Sequence, residues 1–145
     1  VAQLAEGSLG AAIASKDQSA DHDYFAFFRD WMRLCFNYNS KGAEILKQSE
    51  AFQKQGRENQ KELLAYALIL IRKVLLFGID PQLMPHLPAE EQQFVAGFAK
   101  FVTLRNADSL TKELTDAHYH IERNANPRMV FVDSSLRLGG FLRAA

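Results

Sequence analysis

The chain has 145 residues, 48% of them apolar and including 11 Phe, 4 Tyr and a Trp, which is enough for the core of one domain and argues against disorder. Seventeen basic and 17 acidic side chains cancel to a net charge of zero, which removes any global electrostatic case for nucleic acid or an anionic membrane. The single cysteine, Cys35, excludes an internal disulfide, and the N-terminus does not read as a signal peptide, so a reducing cytoplasm is expected. The start at Val1, not Met, in helix-like sequence suggests a piece of a longer protein.

Val1–Glu6 reads as the end of a helix, with Gly7 as its C-cap and Ser8 capping a short helix to about Lys16. Val1, Leu4, Leu9 and Ile13 are too few for a core, so this stretch is expected to be the tail of a preceding domain. Asp17–Asp23 is polar, a linker. Asp21 is the expected N-cap of a helix to about Phe36, whose Tyr24, Phe25, Phe28, Trp31, Met32 and Cys35 recur at helical spacing. Ser40 is the expected cap of the next helix, with Ile45, Leu46 and Phe52 on its inner face, and Gly56 ends it. Gly56–Gly78 then reads as one long central helix around nine consecutive apolar residues, Leu63–Ile71, with helix-forming polar flanks. Arg72 and Lys73 stop that run well short of the roughly 20 apolar residues a bilayer span needs.

Pro81, Pro85 and Pro88 break the helical pattern, and Pro88 is placed to open a helix at N1, followed by Glu90 and Glu91 where the helix dipole favours acids. That helix should run to about Val102 with Phe94, Val95, Phe98, Phe101 and Val102 inward. Asn106 is the expected cap of an amphipathic helix carrying Leu110, Leu114, Ala117 and Ile121, ending near Asn124. Asn126-Pro127 starts a last helix to about Leu142, a reading favoured over a strand for Met129–Val132. No repeat points to a solenoid.

Candidate chemistry is sparse. His118 and Glu122, four apart on one helix face, could hold two positions of a metal site, but His120 points the other way, and His22 and His86 fall in linkers. Surface or interface histidines are the preferred reading. Cys35 lies in the aromatic stripe and reads as a core residue. There is no phosphate loop, nucleophile elbow or paired-Cys zinc spacing. Lys54, Arg57 and Lys61 would align cations if their helices were near-continuous, but Glu58 and Glu62 alternate with them, so a salt-bridged solvent face is expected over a phosphate track. Arg123, Asn124, Asn126 and Arg128 crowd one turn, which is either a plain exposed connection or a partner contact.

Taken together, Phe28–Phe36 (FRDWMRLCF), Gln55–Leu68 (QGRENQKELLAYAL) and above all Ala117–Leu138 (AHYHIERNANPRMVFVDSSLRL) resemble the C-terminal domain of the delta-prime subunit of bacterial DNA polymerase III clamp loaders. The resemblance covers nearly the whole chain. Ala5–Ile13 (AEGSLGAAI) resembles the end of the lid subdomain of an AAA+ module. Active loader ATPases tend to carry GSxRxA there, with a sensor arginine, and Gly10 stands at that position. A subunit that does not hydrolyse ATP should show that departure.

The resemblance implies an all-α bundle of five to six helices of the collar type, with residues 1–18 the end of an AAA+ lid and 19–145 the collar domain. It implies no enzymatic activity in this stretch, no cofactor and no metal, and a role in DNA replication through assembly. The partners would be the other clamp-loader subunits, the gamma/tau-type ATPase and delta; DNA and the sliding clamp would be reached only through AAA+ modules, and no membrane is involved. Exposed Arg and polar side chains are expected at such interfaces, which singles out Arg57, Asn59 and Gln60 at the start of the long helix and Arg123, Asn124, Asn126 and Arg128. The competing expectations are a free-standing helical adaptor binding an unrelated protein beside the long helix, and a small metal-dependent hydrolase using His118 and Glu122.

Overall fold

The aromatic spacing of the first long helix does what its periodicity dictates: Tyr24, Phe25, Phe28, Trp31, Met32 and Cys35 are all buried on one side of α1 (Gln18–Phe36). The computed structural model describes residues 18–83 and 86–145, so the expected helices and lid remnant before residue 18 lie outside the described residues. Within them the chain forms six α-helices and two 3₁₀ turns, with no strand. The remaining helices are α2 (Gly42–Lys54), α3 (Arg57–Ile79), α4 (Ala89–Phe98), α5 (Ala107–Glu122) and α6 (Pro127–Arg143). The 3₁₀ turns are Pro81–Leu83 and Ala99–Phe101. None of these helices is long and apolar enough to cross a membrane.

The long helix α3 buries Leu63–Ala67, Leu70, Ile71 and Val74, and packs chiefly on α5, with α4 and α1 on its other sides. A second helix is as central. α6 packs against α1, α2 and α5, and buries Phe131, Ser134, Ser135, Leu138, Gly139 and Leu142. Its contact with α1 is close because Gly139 has no side chain: a Cβ there would overlap the Cys35 carbonyl and crowd the Tyr38 ring. At the same crossing the Trp31 indole stacks on Phe131, with centroids 4.8 Å apart, and donates from Nε1 to Ser135 Oγ at 2.8 Å. Ser135 passes its own hydrogen to the Phe131 carbonyl at 2.7 Å, so the buried polar groups are satisfied. Burial pushes the neighbouring Cys35 thiol far above its ordinary range, only weakly opposed by a hydrogen bond with Ser135, so it is a core group.

Several helix starts depart from expectation. α1 includes residues from Gln18, so Asp21 and His22 lie inside the helix and not in a linker. Lys41 occupies the N-cap of α2; Ser40 instead donates to the Asn37 carbonyl at 3.3 Å, closing the preceding turn. On α2 only Ile45, Ser49 and Phe52 are buried, while Leu46 is 51% exposed, because α6 covers the other side. Pro88 is the N-cap of α4, not N1. Asn106 sits at the N-cap of α5 but makes no capping bond. Its side chain turns inward, accepting from Thr103 N–H at 2.9 Å and donating at 2.9 Å to the carbonyls of both Phe101 and Phe141. The α5 core row and the Asn126-Pro127 start of α6 stand where the sequence puts them, with Asn126 Oδ1 accepting from Met129 N–H at 3.1 Å.

Candidate interaction surface

Two stretches far apart in sequence, the start of α3 and the α5–α6 turn, meet at one end of the bundle. Each is built by local chain chemistry. Gly56 adopts φ 85°, a conformation open to glycine at little cost, and turns the chain from α2 into α3 with no intervening linker. At the other turn α5 ends in a Schellman arrangement: Ala125 N–H reaches the His120 carbonyl at 2.9 Å, Asn124 N–H reaches the Ile121 carbonyl at 3.1 Å, and Asn124 takes the left-handed conformation at φ 68°. Asn126 and Pro127 then start α6 at once.

Arg57 Nη1 donates to Asn124 Oδ1 at 2.6 Å and so ties the two stretches together. Arg128 reaches Glu50 on α2 at 3.7 Å, with both side chains about half exposed. The Arg123 guanidinium lies over the Tyr119 ring, 5.2 Å from its centroid, and Tyr119 is itself 51% exposed. Asn126 is occupied in capping α6. Asn59 is exposed, donates to the Gln55 carbonyl at 3.0 Å, and holds its Oδ1 near the Tyr24 hydroxyl, which donates to Glu62 at 2.7 Å.

Gln60 corrects the expectation. It is buried, and its Nε2 donates to the carbonyls of Phe52 at 2.9 Å and Gln53 at 3.3 Å. Those carbonyls belong to the last turn of α2, where they also accept from the Gln55 and Gly56 N–H groups at 3.2 and 3.4 Å, so Gln60 helps hold the α2–α3 corner and is not available to a partner. The sequence reading also missed Glu50 and Tyr119. Tyr119 stands one turn before Arg123, a legible stacking pair, whereas Glu50 comes beside Arg128 only through the packing of α2 on α6.

The cations Lys54, Arg57 and Lys61 do not form an open track: Lys61 lies 3.6 Å from Glu58, and Arg57 is engaged by Asn124. His118 is half-buried between α5 and the start of α3, and its Nε2 has no partner. Burial holds its pKa below the ordinary value, opposed by Glu122 and aided by Lys61. A neutral imidazole is therefore favoured. Among the described residues no group of three or more His, Cys, Asp and Glu side chains is placed to hold a metal ion.

Comparison with known proteins gives no match: no family model, no curated protein and no solved structure matches the chain.

Proposed function

We propose that this chain is a non-catalytic assembly domain, the collar-type domain of a delta-prime-like clamp-loader subunit acting in cytoplasmic DNA replication. The observation that carries this reading is the stretch with the strongest family resemblance. Ala117–Arg143 forms one helix–turn–helix, and its turn presents Arg123, Asn124 and Arg128 on the bundle surface beside Arg57. The all-helical architecture agrees with the collar expectation. The partners are the gamma/tau-type ATPase and delta subunits, met through their own helical domains, and the surface beside Arg57 and Arg128 is the contact. Arg side chains with apolar stems next to an exposed Tyr are the residue types that carry binding energy at such interfaces.

Size-exclusion chromatography with light scattering tests this on the chain alone and mixed with the helical C-terminal domains of the two partner types. A mixed complex of defined mass is expected. A chain that remains monomeric beside both partners, while the full-length subunits also fail to associate, overturns the reading.

A further inference from the structure

A groove separate from the Arg57–Arg128 surface runs between α1 and α4, with a volume of about 430 Å³. Phe94, Phe98 and Phe101 form its floor and α4 wall, at the spacing of one helical face, and Phe94 and Phe101 remain partly exposed. Gly97 leaves a gap in that wall: a Cβ there would meet nothing within 4 Å. On the α1 side stand Arg29 and Arg33, one helical turn apart. Arg29 contacts Asp30 at 3.3 Å and lies over the Phe25 ring, while Arg33 is exposed and makes no ion pair among the described residues. Glu90 and Gln93 also line the groove, and Lys100 lies 5.3 Å from the centroid of Phe101.

An aromatic floor would serve any apolar ligand, but the cations select among them. Arg29 and Arg33 lie four residues apart on one face of α1, the spacing that suits carboxylates at i and i+4 on a facing helix. The wall formed by α4 and its 3₁₀ extension offers room for roughly three helical turns. We propose that this groove docks an acidic amphipathic helix, with apolar side chains against Phe94, Phe98 and Phe101 and a pair of carboxylates against Arg29 and Arg33. This is the helix-in-groove mode of recognition with electrostatic selection of the partner. It does not depend on the assembly role proposed above, since it uses different helices.

The test is selection on the intact chain from a displayed library of helix-compatible peptides about three to four turns long. Enriched peptides are expected to carry Asp or Glu pairs four apart beside an apolar face. The leading peptide, measured by fluorescence anisotropy, should bind Arg29→Glu/Arg33→Glu at least about tenfold more weakly, and its Lys-for-Glu counterpart should recover binding to that variant. Gly97→Leu, which fills the gap without meeting another atom at its Cβ, should weaken binding while the fold is kept, with a melting temperature no lower than the parent's because Leu is the better helix former. No enrichment, enrichment without paired carboxylates, or binding indifferent to the charge reversal overturns the proposal.

Discussion

The Cα hydrogen of Gly139 faces the carbonyl oxygen of Cys35 so closely that no side chain fits between α6 and α1. The obstacle is backbone, which cannot swing aside as a flexible side chain could. Gly139→Ala must separate the two helices and disturb the Trp31–Phe131 stack. A loss of about 3 kcal/mol is expected, the upper end for overpacking, read as a lower midpoint in urea denaturation. Gly140→Ala, one position along, meets nothing within 4 Å and serves as the control.

Ser135 is the only acceptor for the buried Trp31 indole N–H among the described residues. Ser135→Ala leaves that donor unpaired in the core and should cost about 1–3 kcal/mol. Because the chain has a single Trp, its fluorescence reports on this site directly. The variant should unfold earlier in denaturant as followed by Trp emission and by circular dichroism alike.

The two half-buried titrating groups pull stability in opposite directions with pH. Burial lowers the His118 pKa in the fold below its ordinary 6.5, so the unfolded chain takes up its proton first. Its contribution is complete above pH 6.5 and is lost as pH falls from there through the folded value. Glu113 is the reverse: burial raises its pKa, against the Ser134 hydrogen bond at 3.0 Å and the Arg137 charge. The fold then takes up the proton before the unfolded chain does, so stability is gained as pH falls through the raised value toward 4.5. Melting curves of His118→Gln should lose the decline below pH 6.5, and those of Glu113→Gln should lose the gain above 4.5.

The left-handed conformation of Asn124 makes its replacement a test of the α5–α6 turn. Asn124→Gly keeps the conformation and loses only the exposed Arg57 contact, so its melting temperature should stay close to that of the parent. Asn124→Val should cost about 1–2 kcal/mol more, because a β-branched residue is strained there.

Arg128→Glu places a carboxylate against Glu50 at a site about half exposed to solvent. Stability should change by no more than about 1 kcal/mol. Under the assembly reading proposed above, association with the helical domains of the proposed partner subunits should nevertheless weaken by about tenfold or more. Unchanged association of a folded variant removes Arg128 from the proposed interface.

Periodicity made two core rows legible, though it also put Leu46, Phe94 and Phe101 inward, of which Leu46 is exposed and the two Phe rings only partly buried. The stripe from Tyr24 to Cys35 and the row Leu110, Leu114, Ala117, Ile121 are buried as their spacing dictates, and Asn126-Pro127 caps α6 because that chemistry is local. What sequence hid depends on neighbours remote in the chain. Leu46 faces solvent because α6 covers only one side of α2. Gln60 looks like a surface residue until the last carbonyls of α2 stand beside it. Asn106 is a sound capping residue by type, but the Phe141 carbonyl, 35 positions away, claims its amide. Gly139 shows no local signature at all, since only the position of α1 makes its missing side chain necessary. The α1–α4 groove escaped for the same reason: Arg29 and Arg33 acquire a shared setting only when α4 comes alongside.

Asn106 does more than close a turn. By holding the Phe101 carbonyl, the Thr103 amide and the Phe141 carbonyl at once, one side chain joins the connection between α4 and α5 to the last turn of α6. The end of α6 is thus tied down, whereas helix ends ordinarily fray locally at little cost. Opening that last turn breaks the same clasp that shapes the entry to α5, so the two segments are expected to exchange their amide hydrogens as one cooperative unit.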